Sequence, residues 1–246
     1  MNAVGTRRVA LVTGGSGGIG RAVARRLAED GMAVAVHYAG NRAAAEEIVA
    51  EITEAGGQAI AVTGDIADEN AMAAAFDAVE SAFGGIDVVV NAAGIMILGP
   101  IATFDLADLD RMHRTNIRGA FVVSQQAARR VRAGGAIINF STSVVRGQAP
   151  NYAPYVAGKA AVEGMTLILA RELRGRDITA NAVAPGPTAT PLFLNGKDEA
   201  TIAALAKAAP LERLGEPADI AETVSHLAGP ARWVNGQVIY VNGGFA

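Results

Sequence analysis

Short apolar runs recur along the chain, separated by longer stretches in which apolar residues return every three or four positions. The runs cover 9–13, 33–38, 59–63, 87–91, 136–141, 178–184 and 238–241 and are built mostly of Val, Ile and Ala. They are nearly continuous rather than alternating, the pattern of parallel strands buried on both faces. Between them the helical period appears, as over 19–30 and 42–55, with Gly31 and Gly56-Gly57 following where a left-handed glycine ends a helix. Strand and helix alternating in this way predict an α/β fold, a doubly wound parallel sheet of seven strands in a three-layer αβα sandwich. No linker, repeat or low-complexity tract interrupts the pattern, so residues 1–246 are expected to form one unit. The irregular stretch is 185–217, rich in Pro, Gly and Ala. It is too long for a plain connection and predicts a small helical lid over about 188–215.

Composition narrows the chemistry. The 246 residues include no cysteine, which excludes a disulfide scaffold, thiolate zinc sites and a Cys nucleophile. A net charge of −3 argues against a nucleic-acid or anionic-membrane partner. His37, His113 and His226 are scattered without ligand spacing, so no metal site is expected. The apolar run at Val9 to Val12 is too short for a signal sequence and no stretch reaches the length of a membrane helix, which predicts a cytoplasmic protein. Arg129, Arg130 and Arg132 read as a solvated helix end.

The first strand runs into Thr13-Gly14-Gly15-Ser16-Gly17-Gly18-Ile19-Gly20 and then a helix. Gly14 allows a tight turn, Gly18 lets backbone N–H groups approach a pyrophosphate, and Gly20 allows close helix–sheet contact. Ser16, Gly17 and Ile19 complete the loop, and the helix start offers its dipole and N–H donors to the anion. Dinucleotide sites that prefer NAD carry an acidic residue about 20 positions on, where it meets the ribose hydroxyls. Tyr38 stands there instead, followed by Asn41 and Arg42, which could bind a 2′-phosphate. NADP(H) is therefore favoured over NAD(H).

With the later motifs added, the whole chain resembles the short-chain dehydrogenase/reductase family, in particular members of the 3-oxoacyl-carrier-protein reductase type. Gly64-Asp65-Ile66 is similar to the family's Asp-Val/Ile pair at the adenine. Asn91-Ala92-Ala93-Gly94 resembles its Asn-Asn-Ala-Gly, with Ala92 in place of the second Asn. Asn116 matches its catalytic Asn, Tyr155-Val156-Ala157-Gly158-Lys159 its Tyr-x-x-x-Lys, and Pro185-Gly186-Pro187-Thr188-Ala189-Thr190 its Pro-Gly-x-x-x-Thr. The resemblance implies a Rossmann-type fold and an NAD(P)-dependent oxidoreductase acting on a carbonyl or secondary alcohol. It also implies a homotetramer through the helical patterns 106–131 and 152–173. Asp65, Ile66, Asn91, Ala92, Ala93, Gly94, Pro185, Gly186, Thr188 and Thr190 would then hold the cofactor.

Tyrosine titrates near 10, too high for an efficient acid or base at neutral pH. Lys159 lies one helical turn beyond Tyr155, and its ammonium is expected to lower the phenol's pKa. The resemblance adds that Lys159 holds the nicotinamide ribose and that Asn116 anchors a water relaying protons to it. The family's carbonyl-binding serine falls three residues after Asn139 and 13 before Tyr155, which lands on Thr142. Ser143 is the alternative if the strand end is bulged. Met96, Ile97, residues 144–152 and 188–211 should wall the substrate pocket, with Arg146 hinting at a carboxylate or phosphate on the ligand. A carrier-bound thioester would be met by Arg129, Arg130, Arg171 and Arg174; small ketones, secondary alcohols or sugars are the other substrate reading.

Overall fold

A computed structural model describes residues 7–246. Seven parallel strands form one sheet: β1 Val9–Thr13, β2 Ala33–Tyr38, β3 Gln58–Thr63, β4 Ile86–Asn91, β5 Val131–Phe140, β6 Thr179–Pro185 and β7 Val238–Val241. Their order is β3-β2-β1-β4-β5-β6-β7. The helices are α1 Gly18–Glu29, α2 Arg42–Glu54, α3 Glu69–Phe83, α4 Leu106–His113, α5 Ala120–Arg130, α6 Val144–Gly147, α7 Ala153–Glu172, α8 Pro191–Leu194, α9 Glu199–Ala208 and α10 Pro217–Ala228. None is long and apolar enough to cross a membrane.

The strand pleat sorts side chains into two cores. Ala10, Val12, Val34, Val36, Val88 and Val90 face α1, α2 and α10, while Val9, Leu11, Ala33, Ala35 and Val89 face α3, α5 and α7. Because both faces are covered, alternate residues are all apolar, and the runs in the sequence follow directly. The edges depart from this expectation. β3 and β7 are mostly half-buried rather than enclosed, since an edge strand has a neighbour on one side only.

β5 begins at Val131, five residues before the apolar run that marks it, because Gly134 and Gly135 interrupt the pattern and the pairing with β4 shifts register between Ile86 and Val88. Arg132 is therefore a strand residue, not part of a solvated helix end. Its Nε and Nη2 donate to Asp87 at 2.9 and 2.5 Å, and the same carboxylate accepts from Val9 N at 2.7 Å. A buried carboxylate needs such partners to remain charged. The helical pattern 106–131 divides into α4, a π-helical turn Arg114–Gly119 and α5. Asp105 caps α4 by accepting from Ala107 N, and Asp68 caps α3. The stretch 188–215 contains α8 and α9, its base closed by Ala189 N donating to Gly215 O and Gly215 N to Pro187 O, both at 2.8 Å.

Candidate active site

The strand order reverses between β1 and β4, leaving a crevice at the carboxyl ends of the strands. A cavity of about 720 Å³ opens there. Gly14, Ser16, Gly17, Gly18, Ile19 and Gly20 line one wall. Gly14 is at φ +64°, and a Cβ on it would stand 2.9 Å from Ala93 Cα. A Cβ on Gly20 would stand 2.2 Å from Gly14 O. The loop thus folds back on itself against the β4 end, and α1 starts at the cavity with no side-chain cap. Uncapped N–H groups at a glycine cradle are the donor set a pyrophosphate takes.

Ala92, Ala93 and Gly94 line the facing wall, but Asn91 does not. Asn91 lies beneath, in a buried hydrogen-bonded ladder. Thr13 Oγ1 donates to Asn91 Oδ1 at 3.0 Å, Asn91 Nδ2 to Asn139 Oδ1 at 3.1 Å and Asn139 Nδ2 to Thr166 Oγ1 at 3.0 Å. Thr13 Oγ1 also accepts from Ala93 N at 3.3 Å. Such a fully partnered buried network fixes the strand ends it joins.

Helix α7 brings Tyr155 and Lys159 to the wall. Lys159 is buried, its Nζ donates to Phe140 O at 2.9 Å, and it stands 5.8 Å from the centre of the Tyr155 ring. Burial draws the Lys159 ammonium down to about 8. The Tyr155 phenol is pushed above its ordinary value by burial and by neighbouring Tyr152. This reverses the shift expected from the sequence: in the protein alone, the cost of a buried phenolate outweighs the attraction of the lysine.

Three hydroxyl residues follow Phe140. Ser141 Oγ donates to Glu163 Oε1 at 2.5 Å, and Ser143 Oγ, fully buried, donates to Ala184 O at 3.1 Å. Ser143 does not reach the cavity. Thr142 lines it, and its Oγ1 accepts only a long 3.4 Å contact from Val144 N, which leaves the O–H proton free. Asn116, in the π turn, is also off the wall. Its Nδ2 donates to Ile95 O at 2.8 Å and its Oδ1 accepts from Ile95 N at 3.0 Å. It nevertheless flanks Gly94 together with Lys159: a Cβ on Gly94 would stand 3.1 Å from Asn116 Oδ1 and 3.4 Å from Lys159 Nζ. Pro185, Gly186, Thr188 and Thr190 complete this end.

The other end differs from expectation. Ala39 and Gly40 line it, whereas Tyr38, Asn41 and Arg42 do not. Tyr38 packs against the core beneath α1 and α2. Asn41 caps α2, accepting from Ala44 N at 3.1 Å, and Arg42 Nε donates to Glu46 at 2.7 Å with its side chain 74% exposed. Local partners one helical turn away took both side chains. Asp65 and Ile66 do line the cavity, together with His37 and Arg114, which the motif spacing does not single out. His37 Nε2 donates to Gly64 O at 3.0 Å, its Nδ1 is buried without a partner, and burial lowers its pKa to about 4, so the ring is neutral.

Met96, Val144, Ala149, Tyr152, Leu192, Phe193, Leu205 and Phe245 also line the cavity; Ile97 does not. Arg146 is exposed and turned away, its guanidinium 3.8 Å above the Tyr240 ring. Arg129, Arg130, Arg171 and Arg174 lie near the ends of α5 and α7, which lead into β5 and β6 at the opposite end of the sheet from the cavity. Arg130 pairs there with Asp77 and Glu80 of α3.

The family described as Enoyl-(Acyl carrier protein) reductase matches residues 14–246. A "Short-chain type dehydrogenase/reductase" of Picea abies is 47% identical over 248 residues, covering 96% of this chain and 92% of that protein. The "NADPH-dependent aldehyde reductase-like protein, chloroplastic" of Arabidopsis thaliana is 43% identical over 255 residues, covering 97% and 94%. Among solved structures, a short chain dehydrogenase from Burkholderia cenocepacia J2315 in complex with NADP superposes with a TM-score of 0.91 at 38% identity, covering 99% of both chains.

Proposed function

The chain belongs to the short-chain dehydrogenase/reductase family, NAD(P)-dependent oxidoreductases, and from that premise we propose that it is an NADP(H)-dependent reductase of neutral, predominantly apolar aldehydes or ketones. The observation that carries the substrate class is the stretch of cavity wall that includes Met96, Phe193 and Phe245. Its side chains are aliphatic, aromatic or thioether, with the Tyr152 hydroxyl as a polar tip, and none is charged. A carboxylate or phosphate buried there would find no partner, and an unpaired buried charge is expensive. Arg146, the one cation of the substrate loop, is spent on Tyr240. The carrier-thioester reading loses its arginines to the far end of the sheet.

The glycine cradle and the uncapped start of α1 fit the pyrophosphate, and Asp65 and Ile66 fit the adenine. The exposed Arg42 can turn from Glu46 toward a 2′-phosphate, and no acidic residue on the β2 end opposes it. The name of the NADPH-dependent plant relative and the NADP-bound structural neighbour support the same cofactor.

A bound reduced nicotinamide supplies the hydride. Thr142 offers its free O–H to the carbonyl oxygen and Tyr155, held protonated by burial, gives that oxygen its proton as charge develops there. Lys159 then returns a proton to the tyrosinate and regains one from solvent. With a pKa of about 8 it is charged at neutral pH yet close to the point of release. A protonated phenol is the form from which a carbonyl oxygen takes its proton. Asn116 positions rather than reacts, through its paired bonds to Ile95. The exposed Phe121, Leu167 and Ile168 on α5 and α7 support a homotetramer that covers this face.

The test is the initial rate of NADPH and NADH oxidation with aromatic and aliphatic aldehydes, matching ketones, carboxylated analogues and an acetoacetyl thioester. Preference for NADPH and uncharged carbonyls is expected. Preference for the thioester or the carboxylates would overturn the substrate reading.

A further inference from the structure

The π turn Arg114–Gly119 grips the β3–α3 loop, which carries Asp65 and Ile66, at three points. Arg114 Nη1 donates to Asp65 Oδ2 at 2.5 Å. Arg118 Nε donates to Ala67 O at 2.9 Å. Gly119 admits Ile66 so closely that a Cβ on it would stand 2.6 Å from Ile66 Cδ1. The other side of the same turn carries Asn116, bonded to Ile95 beyond the β4 end. A single irregular turn therefore ties together the two loops between which the purine of a dinucleotide would lie. π turns concentrate at functional positions because the extra residue redirects side chains.

Within that clamp Arg114 differs from Arg118, because Arg114 lines the cavity and Arg118 does not. Asp65 is already oriented on one side, its Oδ1 accepting from Ala67 N at 2.9 Å. Arg114 holds the second oxygen. An ionised carboxylate has about four acceptor positions, so both bonds leave room for a third donor from the cavity.

We propose that Arg114 is an adenine-positioning residue: by pairing with Asp65 at the cavity wall it fixes that carboxylate as the acceptor for the exocyclic amine of the bound purine. The inference rests on the dinucleotide reading above. It makes this chain selective for a 6-amino purine over a 6-oxo purine, whose oxygen would face the carboxylate acceptor to acceptor. Arg114 acts through orientation, since a pair this exposed adds little by attraction alone.

The experiment measures dissociation constants of the full chain for NADPH and for its hypoxanthine analogue, which carries oxygen in place of the amine, by calorimetry without substrate. Wild type should bind NADPH about tenfold more tightly than the analogue, the size of one charge-assisted hydrogen bond. Arg114→Ala should lose about tenfold on NADPH and less than about twofold on the analogue. Arg118→Ala should loosen the loop and weaken both ligands equally. Arg114→Gln, which keeps length and a donor, replaces Arg114→Ala if the latter does not fold, judged by the melting temperature of the unliganded chain. Equal losses on both bases in the Arg114 variant, no loss on either, or a base-selective loss as large in Arg118→Ala would each overturn the proposal. Failure of wild type to bind NADPH at all would overturn the cofactor reading beneath it, and is seen before any variant is made.

Discussion

At the Tyr155 end of the cavity, polar side chains are committed inside the fold. Lys159 is tied to Phe140 O, Asn139 to Asn91 and Thr166, and Ser141 and Ser143 to Glu163 and Ala184 O. At the Arg114 end, charged side chains pair across the surface, with Asp65 and Arg114 about half exposed and Arg42 more so. A buried group cannot change partner without leaving a donor or acceptor unsatisfied, while an exposed one can exchange its partner for water at little cost. The first end is therefore rigid and sets chemistry; at the second, Arg42 is free to change partner, while Asp65 is held at both oxygens, by Ala67 N and by Arg114.

The contrast is broken most sharply at Lys159. Lys159→Met should lower kcat about a thousandfold, in the range of a lost acid–base group. The same variant should be more stable than wild type at neutral pH, because a buried ammonium is removed. Burial pushes the Lys159 ammonium down to about 8 from an ordinary 10.5, so the unfolded chain binds more protons between those values. Wild-type stability therefore rises with pH across that interval, and the advantage of Lys159→Met, largest below pH 8, shrinks through it. Denaturant titrations at several pH values measure this. A variant less stable than wild type throughout would show that the lysine is not under strain.

A smaller effect separates the hydroxyls. Thr142→Val should lower kcat about a hundredfold, as loss of one donor to a developing oxyanion does. Ser143→Ala should leave kcat within about threefold and instead cost about 1 kcal/mol of stability, since it strips the donor from a buried carbonyl. Exchange of these two outcomes would move the catalytic hydroxyl to Ser143.

The exposed end should respond least. Arg42→Ala is expected to raise the NADPH KM about fivefold and leave the NADH KM unchanged, the scale of one solvated ion pair. Equal values for the two cofactors in the variant and wild type would place the phosphate elsewhere, with Ala39, Gly40 and Ser16 as the remaining surface.

The same contrast governs what the sequence made legible. The seven strands and their parallel sheet follow from the apolar runs, because strands buried on both faces leave few alternatives. The strand order does not, and Tyr155, Lys159 and Thr142 were picked out only through the family resemblance, though all three line the cavity. The π turn was not legible: the 106–131 pattern is helical throughout, and nothing in it marks the extra residue that widens the turn at Asn116. Arg42 and Asn41 were assigned by proximity to β2, yet a glutamate and a free N–H one turn away compete for them. Arg114 was missed because its partner Asp65 lies 49 residues earlier and meets it only across the folded chain. The rise of the Tyr155 pKa in the protein alone was not legible for a related reason, since i,i+4 spacing reports the neighbour's charge but not the desolvation around the phenol.

The most direct measurement compares kcat/KM for NADPH-dependent reduction of benzaldehyde and of 4-carboxybenzaldehyde, which differ by one anionic group remote from the carbonyl. A charge-free wall at Met96, Phe193 and Phe245 predicts at least about a tenfold preference for benzaldehyde, the smallest cost of leaving a carboxylate unpaired. An equal or higher value for the carboxylated aldehyde would contradict the account and point to a cation at the substrate end.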